Sequence, residues 1–485
     1  MKNYIVTLIS LSAFLFLSCQ QNIMPIITES DEARQAFLTG RDLTEKLRGQ
    51  EALAYFERAV ELDTNFALAY ANLAANQTTA KEAFFYLDKA MAKLDHVSDG
   101  EKLFIQAINA GFNGLPARQG EYIEQLVELY PNDPRTNTLL GNYYFSQQRY
   151  EEAIRVYKTA TSLDPDFSTP YNQLGYSYRF LGDYAQAEAS FKKYINLLPD
   201  DPNPYDSYAE LLLKMGEFEI SIEMYEKAID INPKFYNSYY GLATNYNLKE
   251  EHREARKKLK ELMRLVETDG QRRQAITAMA ISYIDEEKYP EAVKLVEERL
   301  VIANRNSDTL AMAGDLNFIA LILLENEQIE QAGKTWQKMH QLVQQTSRAE
   351  DVKNIWYRAY LYGLTRIAIE LNDFEQAVKN QKAFLQAAEK AGNSFQVRVS
   401  HQLAGLIYMQ QKKYIQAIAE LQQANRQNAY DQFRLAMAYE GNGDTANALQ
   451  NYHDTANANL FNNANYAFCR KRAESKYAFL KSVIN

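Results

Sequence analysis

The sequence predicts an all-α chain, a solenoid of antiparallel helix pairs closed by a C-terminal capping helix. Three observations predict it. At 485 residues the chain is too long for one ordinary core, and its composition, 46% hydrophobic with only 19 Gly and 11 Pro, suits packed helices better than loops. Small, aromatic and proline positions recur every 34 residues through the middle of the chain. An apolar stripe at steps of three and four closes the sequence. The same composition narrows the function. Formal net charge is -9, from 53 basic and 62 acidic residues spread without a long basic block, which argues against a nucleic-acid partner. Two cysteines, Cys19 and Cys469, are too few for a disulfide framework once Cys19 has another role.

Residues 1–18 read as an export signal: Lys2, an apolar run from Tyr4 to Leu17, then the small Ser18. The run is too short to span a bilayer, which needs about 20 apolar residues. Leu15-Phe16-Leu17-Ser18-Cys19 resembles the lipobox of bacterial lipoproteins, with Phe16 departing from the usual aliphatic residue. The resemblance implies diacylglycerol on Cys19, a cell-envelope location, and, because Gln20 follows the cysteine, an outer-membrane preference. Residues 19–32 are then a lipidated tether. The twelve or so residues from Cys19 to Ser30 reach less than roughly 45 Å, so partners are expected close to the membrane.

The repeats open in degenerate form over 33–133. Gly40, Ala52, Phe56 and Ala59 fit in register with Thr64 in place of Pro; Ala74, Ala83, Leu87 and Ala90 fit with a shortened turn; Ala107, Ile123 and Pro131 fit with Gln119 where a small residue belongs. Over 134–269 the pattern is regular. Leu140-Gly141, Tyr144, Ala153, Tyr157, Ala160 and Pro165 are matched 34 residues later by Leu174-Gly175, Tyr178, Ala187, Phe191, Tyr194 and Pro199, and the anchors Ser221 and Ala255 keep the interval. Small residues let helices approach to about 8–10 Å. Proline ends the second helix of each unit, and Pro170 and Pro204 sit where a helix start lacks no needed N–H. Over 270–460 the interval drifts, with anchors at Ala292, Ala332, Ala377, Ala417 and Ala448 implying longer helices. The last segment, 461–485, places Tyr466, Cys469, Ala473, Tyr477, Leu480 and Ile484 on one face and Arg470, Lys471, Arg472, Lys476 and Lys481 on the other, which reads as a capping helix with a solvated basic face.

These positions resemble the tetratricopeptide-repeat (TPR) family, whose 34-residue unit is two antiparallel helices with small residues at its eighth, twentieth and twenty-seventh positions. The resemblance implies a right-handed superhelix that binds a partner peptide or helix on a concave face lined by the first helices. Carried over residue by residue, it points to Asn142, Phe145, Asn172, Tyr176, Arg179, Tyr240 and Asn247, with Phe180, Asp206, Glu210, Lys214 and Thr244 beside them. The clamp of chaperone-binding TPR proteins is not expected, because Thr138 stands where its first lysine would be. The resemblance thus implies a membrane-proximal adaptor for a protein partner. A glycan-binding outer-membrane lipoprotein and an envelope sensor subunit are the alternatives; the first would need a non-repeat sugar site, and Trp336 and Trp356 read as core.

Nothing in the sequence points to catalysis or to a cofactor. His96, His252, His340, His401 and His453 are scattered with no metal-ligand spacing, and HExxH, paired CxxC, GxxxxGK[ST], GxGxxG and GxSxG are all missing. No enzymatic role and no metal are therefore expected. Cys469 falls on the apolar stripe and reads as an inert core thiol.

Overall fold

A computed structural model describes residues 23–484; residues 1–18 and Cys19 lie outside the described residues. Among the described residues every regular element is helical, and the α-helices form twelve successive pairs and a last helix. Pairs 1 to 3 are α1 and α2 (Asp31–Glu45, Gly49–Leu62), α3 and α4 (Ala67–Asn76, Ala80–Met91), and α5 and α6 (Asp99–Phe112, Pro116–Leu129). Pairs 4 to 7 are α7 and α8 (Pro134–Ser146, Tyr150–Leu163), α9 and α10 (Thr169–Leu181, Tyr184–Leu197), α11 and α12 (Pro202–Met215, Phe218–Ile231), and α13 and α14 (Tyr236–Leu248, His252–Leu265). Pairs 8 to 10 have longer helices: α15 and α16 (Asp269–Asp285, Tyr289–Arg305), α17 and α18 (Thr309–Glu325, Ile329–Gln344), and α19 and α20 (Glu350–Glu370, Phe374–Lys390). Pairs 11 and 12, α21 and α22 (Ser394–Gln410, Tyr414–Leu421) and α23 and α24 (Ala429–Gly441, Thr445–Ala456), lead to α25 (Ala464–Ile484).

The recurring residues do the packing. Tyr157, Phe191, Tyr225 and Trp336 are fully buried, each lying over a glycine of a facing helix: Gly141, Gly175, Gly241 and Gly363. A methyl group on Gly175 would sit 2.6 Å from the Phe191 ring. The anchors Ala153, Ala187, Ala255, Ala292, Ala332, Ala377, Ala417 and Ala448 are likewise buried in second helices. In pair 3 the small buried residue is Gly120, one position after Gln119, and it receives the ring of Tyr143. Helix ends follow the prolines: α8, α10 and α12 stop two residues before Pro165, Pro199 and Pro233. Asp133 and Asp201 cap α7 and α11, accepting from the N–H groups of Arg135 and Asn203. In pairs 3 to 7 the turn between the two helices is held by one left-handed residue. Gly114, Gln148, Gly182, Gly216 and Glu250 occupy it in turn with φ between 61° and 82°, so the geometry of the turn is kept even where glycine is not.

The solenoid winds back onto itself. Glu45, at the end of α1, accepts from Arg135 Nε at 2.7 Å, and its carbonyl accepts from Thr169 Oγ1 at 2.7 Å. Lys81 of pair 2 donates to the Asn306 carbonyl before pair 9 at 2.8 Å, and Asp88 pairs with Arg348 before pair 10 at 3.1 Å. Tyr150 of pair 4 donates to Gln427 Oε1 at 2.6 Å, and Gln148 accepts from Arg398 of pair 11 at 3.0 Å. Successive superhelical turns are therefore in direct contact.

Both termini differ from the sequence reading. Part of the expected tether is laid down on the repeats: the N–H of Met24 donates to Asp133, that of Ile27 to Glu101, and Thr28 Oγ1 to Asp63. These carboxylates stand at or beside three helix ends, where spare acceptor oxygens meet an extended backbone with free donors. At the other end the basic face of α25 is solvated only in part: Lys481 is exposed, but the residues before it are paired. Arg470 is 3% exposed and pairs with Asp285 at 2.7 Å and with Glu250; Arg472 pairs with Glu325 at 2.9 Å and Lys476 with Glu440 at 2.8 Å. The winding brings α15 and the end of α17 against the first half of α25, which there packs on α24 with one side and meets Asp285 and Glu325 with the other, while Phe479 and Lys481 near its end are exposed. Cys469 is fully buried, and burial pushes its thiol up to about 12.

Candidate functional site on the inner face

The first helices of pairs 5 and 6, with the turn of pair 4 and Tyr150 after it, face a cavity of about 1030 Å³, bounded on the far side by residues 425–432 and 453–465. One wall is aromatic. Tyr150 and Phe180 stack with ring centroids 5.0 Å apart and planes 6° apart, and Phe145 meets both edge-on at 5.3 and 5.6 Å. Arg179 lies over Phe180 at 4.8 Å and holds Glu210 at 2.6 Å, while Tyr176 donates to the other Glu210 oxygen at 3.1 Å. Lys214 donates to the Ala458 carbonyl; burial, helped by the nearby Arg179 charge, pulls its ammonium down to about 8. An aromatic shelf beside charges of both signs can hold a chain segment by stacking, by amide hydrogen bonds and by its charged side chains.

The seven residues expected to bind a partner separate into two groups and two single cases. Arg179 lines this cavity, and Phe145 and Tyr176 come together with it by packing on the lining residues Tyr150, Phe180 and Glu210. Asn142 is exposed and its Oδ1 accepts from Tyr157 Oη at 2.7 Å, so it braces a core ring. Asn172 is 1% exposed with neither amide atom bonded. Tyr240 and Asn247 lie under the chain's own C-terminal segment: Phe461 packs in the cluster that contains Tyr240, the Asn462 N–H donates to Thr244 Oγ1, and Arg470 reaches the Asn247 carbonyl. Periodicity had no means of finding Tyr150, Gln427, His453 or Asp454 as parts of one site, because the far wall comes from residues more than 200 positions away.

The inner face continues into a second cavity of about 330 Å³ lined by Trp356, Tyr362, Phe384 and Phe395 with Arg366 and Arg434. Trp336 is core as expected; Trp356, by contrast, is half-buried at this cavity, since its place on a first helix turns it inward. Burial pushes Glu325 up, but Arg366 and Arg472 outweigh it and hold the carboxyl at about 2, while burial raises Asp431 to about 6 despite Arg434. Glu250, His252 and Asp285 bring three possible metal-ligating atoms within 4.8 Å of one another. Arg470 pairs with both carboxylates, so the α25 guanidinium already neutralises that group.

The architecture defines a class: an all-helical solenoid of tandem helix pairs with an inward-facing cavity. Residues 141–182 match the family profile described as TPR repeat, and residues 168–201 and 203–235 match that described as Tetratricopeptide repeat. Over these residues the chain carries tetratricopeptide repeats. Among curated proteins none matches it. Similar solved structures include that of MamA protein (23% identity, 34% of this chain and 91% of that chain, TM-score 0.28). The structure titled "Crystal structure of YrrB: a TPR protein with an unusual peptide-binding site" matches at 17% identity over 38% of this chain and 93% of that one, TM-score 0.26. A thermophilic TPR protein from Thermus thermophilus matches at 24% identity over 44% of this chain and 98% of that one, TM-score 0.29. Likenesses of this size add nothing to the argument about site or shape. No helix among the described residues is long and apolar enough to cross a membrane.

Proposed function

We propose that the chain is a scaffold that binds a segment of a partner protein in the cavity between pairs 4 to 6 and pairs 11 and 12. The observation that carries the reading is the Phe145–Tyr150–Phe180 shelf beside Arg179, Glu210 and Lys214, on the one stretch of first helices in pairs 4 to 8 that α25 leaves free. TPR repeats are scaffolds for protein association, and this surface offers a peptide an apolar anchor flanked by charges of both signs. No catalytic step is assigned to it. A photoreactive residue at Phe180 in the native cell tests the reading: a discrete protein adduct supports it, and none at wild-type abundance and fold removes this cavity as the binding face.

Anchoring at Cys19 in the bacterial envelope, with an outer-membrane preference, belongs to the same proposal. What supports it is the lipobox-like run before Cys19 and the docking of Met24 to Asp133. Five residue steps separate Cys19 from that bond, a reach of at most roughly 18 Å, so the anchored scaffold would lie against its membrane. Metabolic labelling with an alkyne fatty acid should mark the wild type and not Cys19→Ser; equal labelling would exclude lipid on this cysteine. A second reading, glycan binding, is favoured by Trp356 and Tyr362 at the smaller cavity. An oligosaccharide array that shows no binding sensitive to Trp356→Ala would dismiss it.

A further inference from the structure

The seam between pairs 3 and 10 contains a charge that nothing above accounts for. Arg358, in the first half of α19, is 2% exposed. Its Nε has no acceptor, and its guanidinium makes no hydrogen bond or ion pair with any described residue. Other buried arginines are compensated: Arg434 by Asp431, Arg470 by Asp285 and Glu250, Arg366 by Glu325, and Arg256 by Glu286. An arginine cannot shed its proton, and removing an ion from water is costly unless a counter-charge meets it. Burial accordingly pulls the Arg358 guanidinium below its ordinary range, with Asp351, two helical turns away at the rim of the same cavity, opposing only in part.

Arg358 lines a cavity of about 360 Å³ together with Asn113, Leu115, Tyr357, Gln386 and Lys390. The turn between α5 and α6 forms one wall, and α19 and α20 form the other. Lys390 is exposed and has no ion-pair partner among the described residues either. Two cations against the single carboxylate of Asp351, four neutral hydrogen-bonding side chains (Asn354 is the fourth) and an apolar floor make a lining suited to an oxyanion with a short carbon skeleton. The volume is at the small end of ligand sites and too small for a folded partner. We propose that this cavity binds a small organic anion whose carboxylate or phosphoryl oxygens pair with Arg358. Because its walls belong to two superhelical turns, the ligand also staples them together.

Calorimetric titration of the full-length protein tests this, with succinate and inorganic phosphate as probes at constant ionic strength against chloride. The expected result is saturable binding of at least one probe at about one site per chain, weakened at least tenfold by Arg358→Met. Binding of succinate alone identifies a carboxylate ligand, and of phosphate alone a phosphoryl one. No saturable binding of either, or equal affinity in Arg358→Met with an unchanged circular dichroism spectrum, overturns the proposal. Should Arg358→Met not fold, Gln386→Leu keeps the charge and alters only the neutral wall. Weaker binding in that variant supports the site, and unchanged binding overturns it.

Discussion

Asp206 shows how a single buried group sets a pH dependence. It lies inside pair 6, accepts from Ser238 Oγ at 2.7 Å, and is pushed up to about 7 by burial. In the unfolded chain an aspartate titrates near 3.9. The folded protein therefore holds a proton that the unfolded chain lacks between about pH 4 and 7. The contribution is complete below pH 4 and lost as pH rises through 7. Asp206→Asn keeps the acceptor without the ionisation, so it should leave stability unchanged at pH 4 and raise it by roughly 2–4 kcal/mol at pH 8. Urea midpoints at both pH values measure this; parallel pH curves would refute the assignment. A second residue-scale expectation concerns the left-handed turn position. Glu287 adopts φ 58° in the turn of pair 8, its N–H donating to the Ile284 carbonyl at 2.9 Å, whereas pairs 5 and 6 use Gly182 and Gly216. That backbone bond needs no side chain. Glu287→Gly should be neutral or stabilising by up to about 1 kcal/mol, against glycine's usual cost in a helix. A loss of more than about 1 kcal/mol in urea would contradict the turn geometry.

At the scale of the element, α25 decides how far the inner face is open. Arg470 meets Asp285 of α15 and Glu250 of the pair 7 turn, while Tyr466, Cys469 and Ala473 are buried on the other side. Arg470→Met would keep the stem and leave Asp285, 4% exposed, with only His252 as a partner. Breaking a buried pair in this way costs about 3–5 kcal/mol. Amide hydrogen exchange should accelerate in α25 and α15 and remain unchanged in α1 to α4; unchanged exchange in α25 would mean the helix is held by its apolar face alone. The same helix marks the boundary of what the sequence reveals. Ala153, Ala187 and Ala255 with Tyr157 and Phe191 disclose the pairs because each contact lies within one 34-residue unit or its neighbour. The partner of Arg470 is 185 residues away, and nothing in a local period distinguishes an arginine that faces water from one that faces a distant carboxylate. Trp356 fails for the same reason: its spacing says helix, but only the winding says which cavity it enters. Phe145, Tyr176 and Arg179 were legible because first-helix positions repeat; the far wall of their cavity was not.

For the whole molecule the question is whether it behaves as a line of repeats or as a closed body. A solenoid in which each unit touches only its neighbours has stability that adds along the chain, and its ends fray independently. Here pair 1 meets pairs 4 and 5 through Glu45, pair 2 meets the start of pair 9 through Lys81, and Asp88 meets Arg348 before pair 10. Each bond alone is a surface-type interaction contributing up to about 1 kcal/mol. Together they fix the pitch, because an axial extension must break all of them at once. The triple variant Glu45→Ala, Lys81→Ala, Arg348→Ala removes side chains from three points of the seam without touching any of the rings that lie over glycines. A compact chain of this length has a radius of gyration of roughly 23 Å, and the wild type should scatter within a few Å of that value. The variant should gain several Å while its helical circular dichroism stays the same, since the pairs themselves are intact. Thermal unfolding should then broaden, as the first and second turns no longer melt as one unit. An unchanged radius would show that the pitch is set by the packing of Tyr157, Phe191 and Trp336 between neighbouring helices, with the seam contacts following from it; the cavity between pairs 4 to 6 and pairs 11 and 12 would then persist with the seam cut.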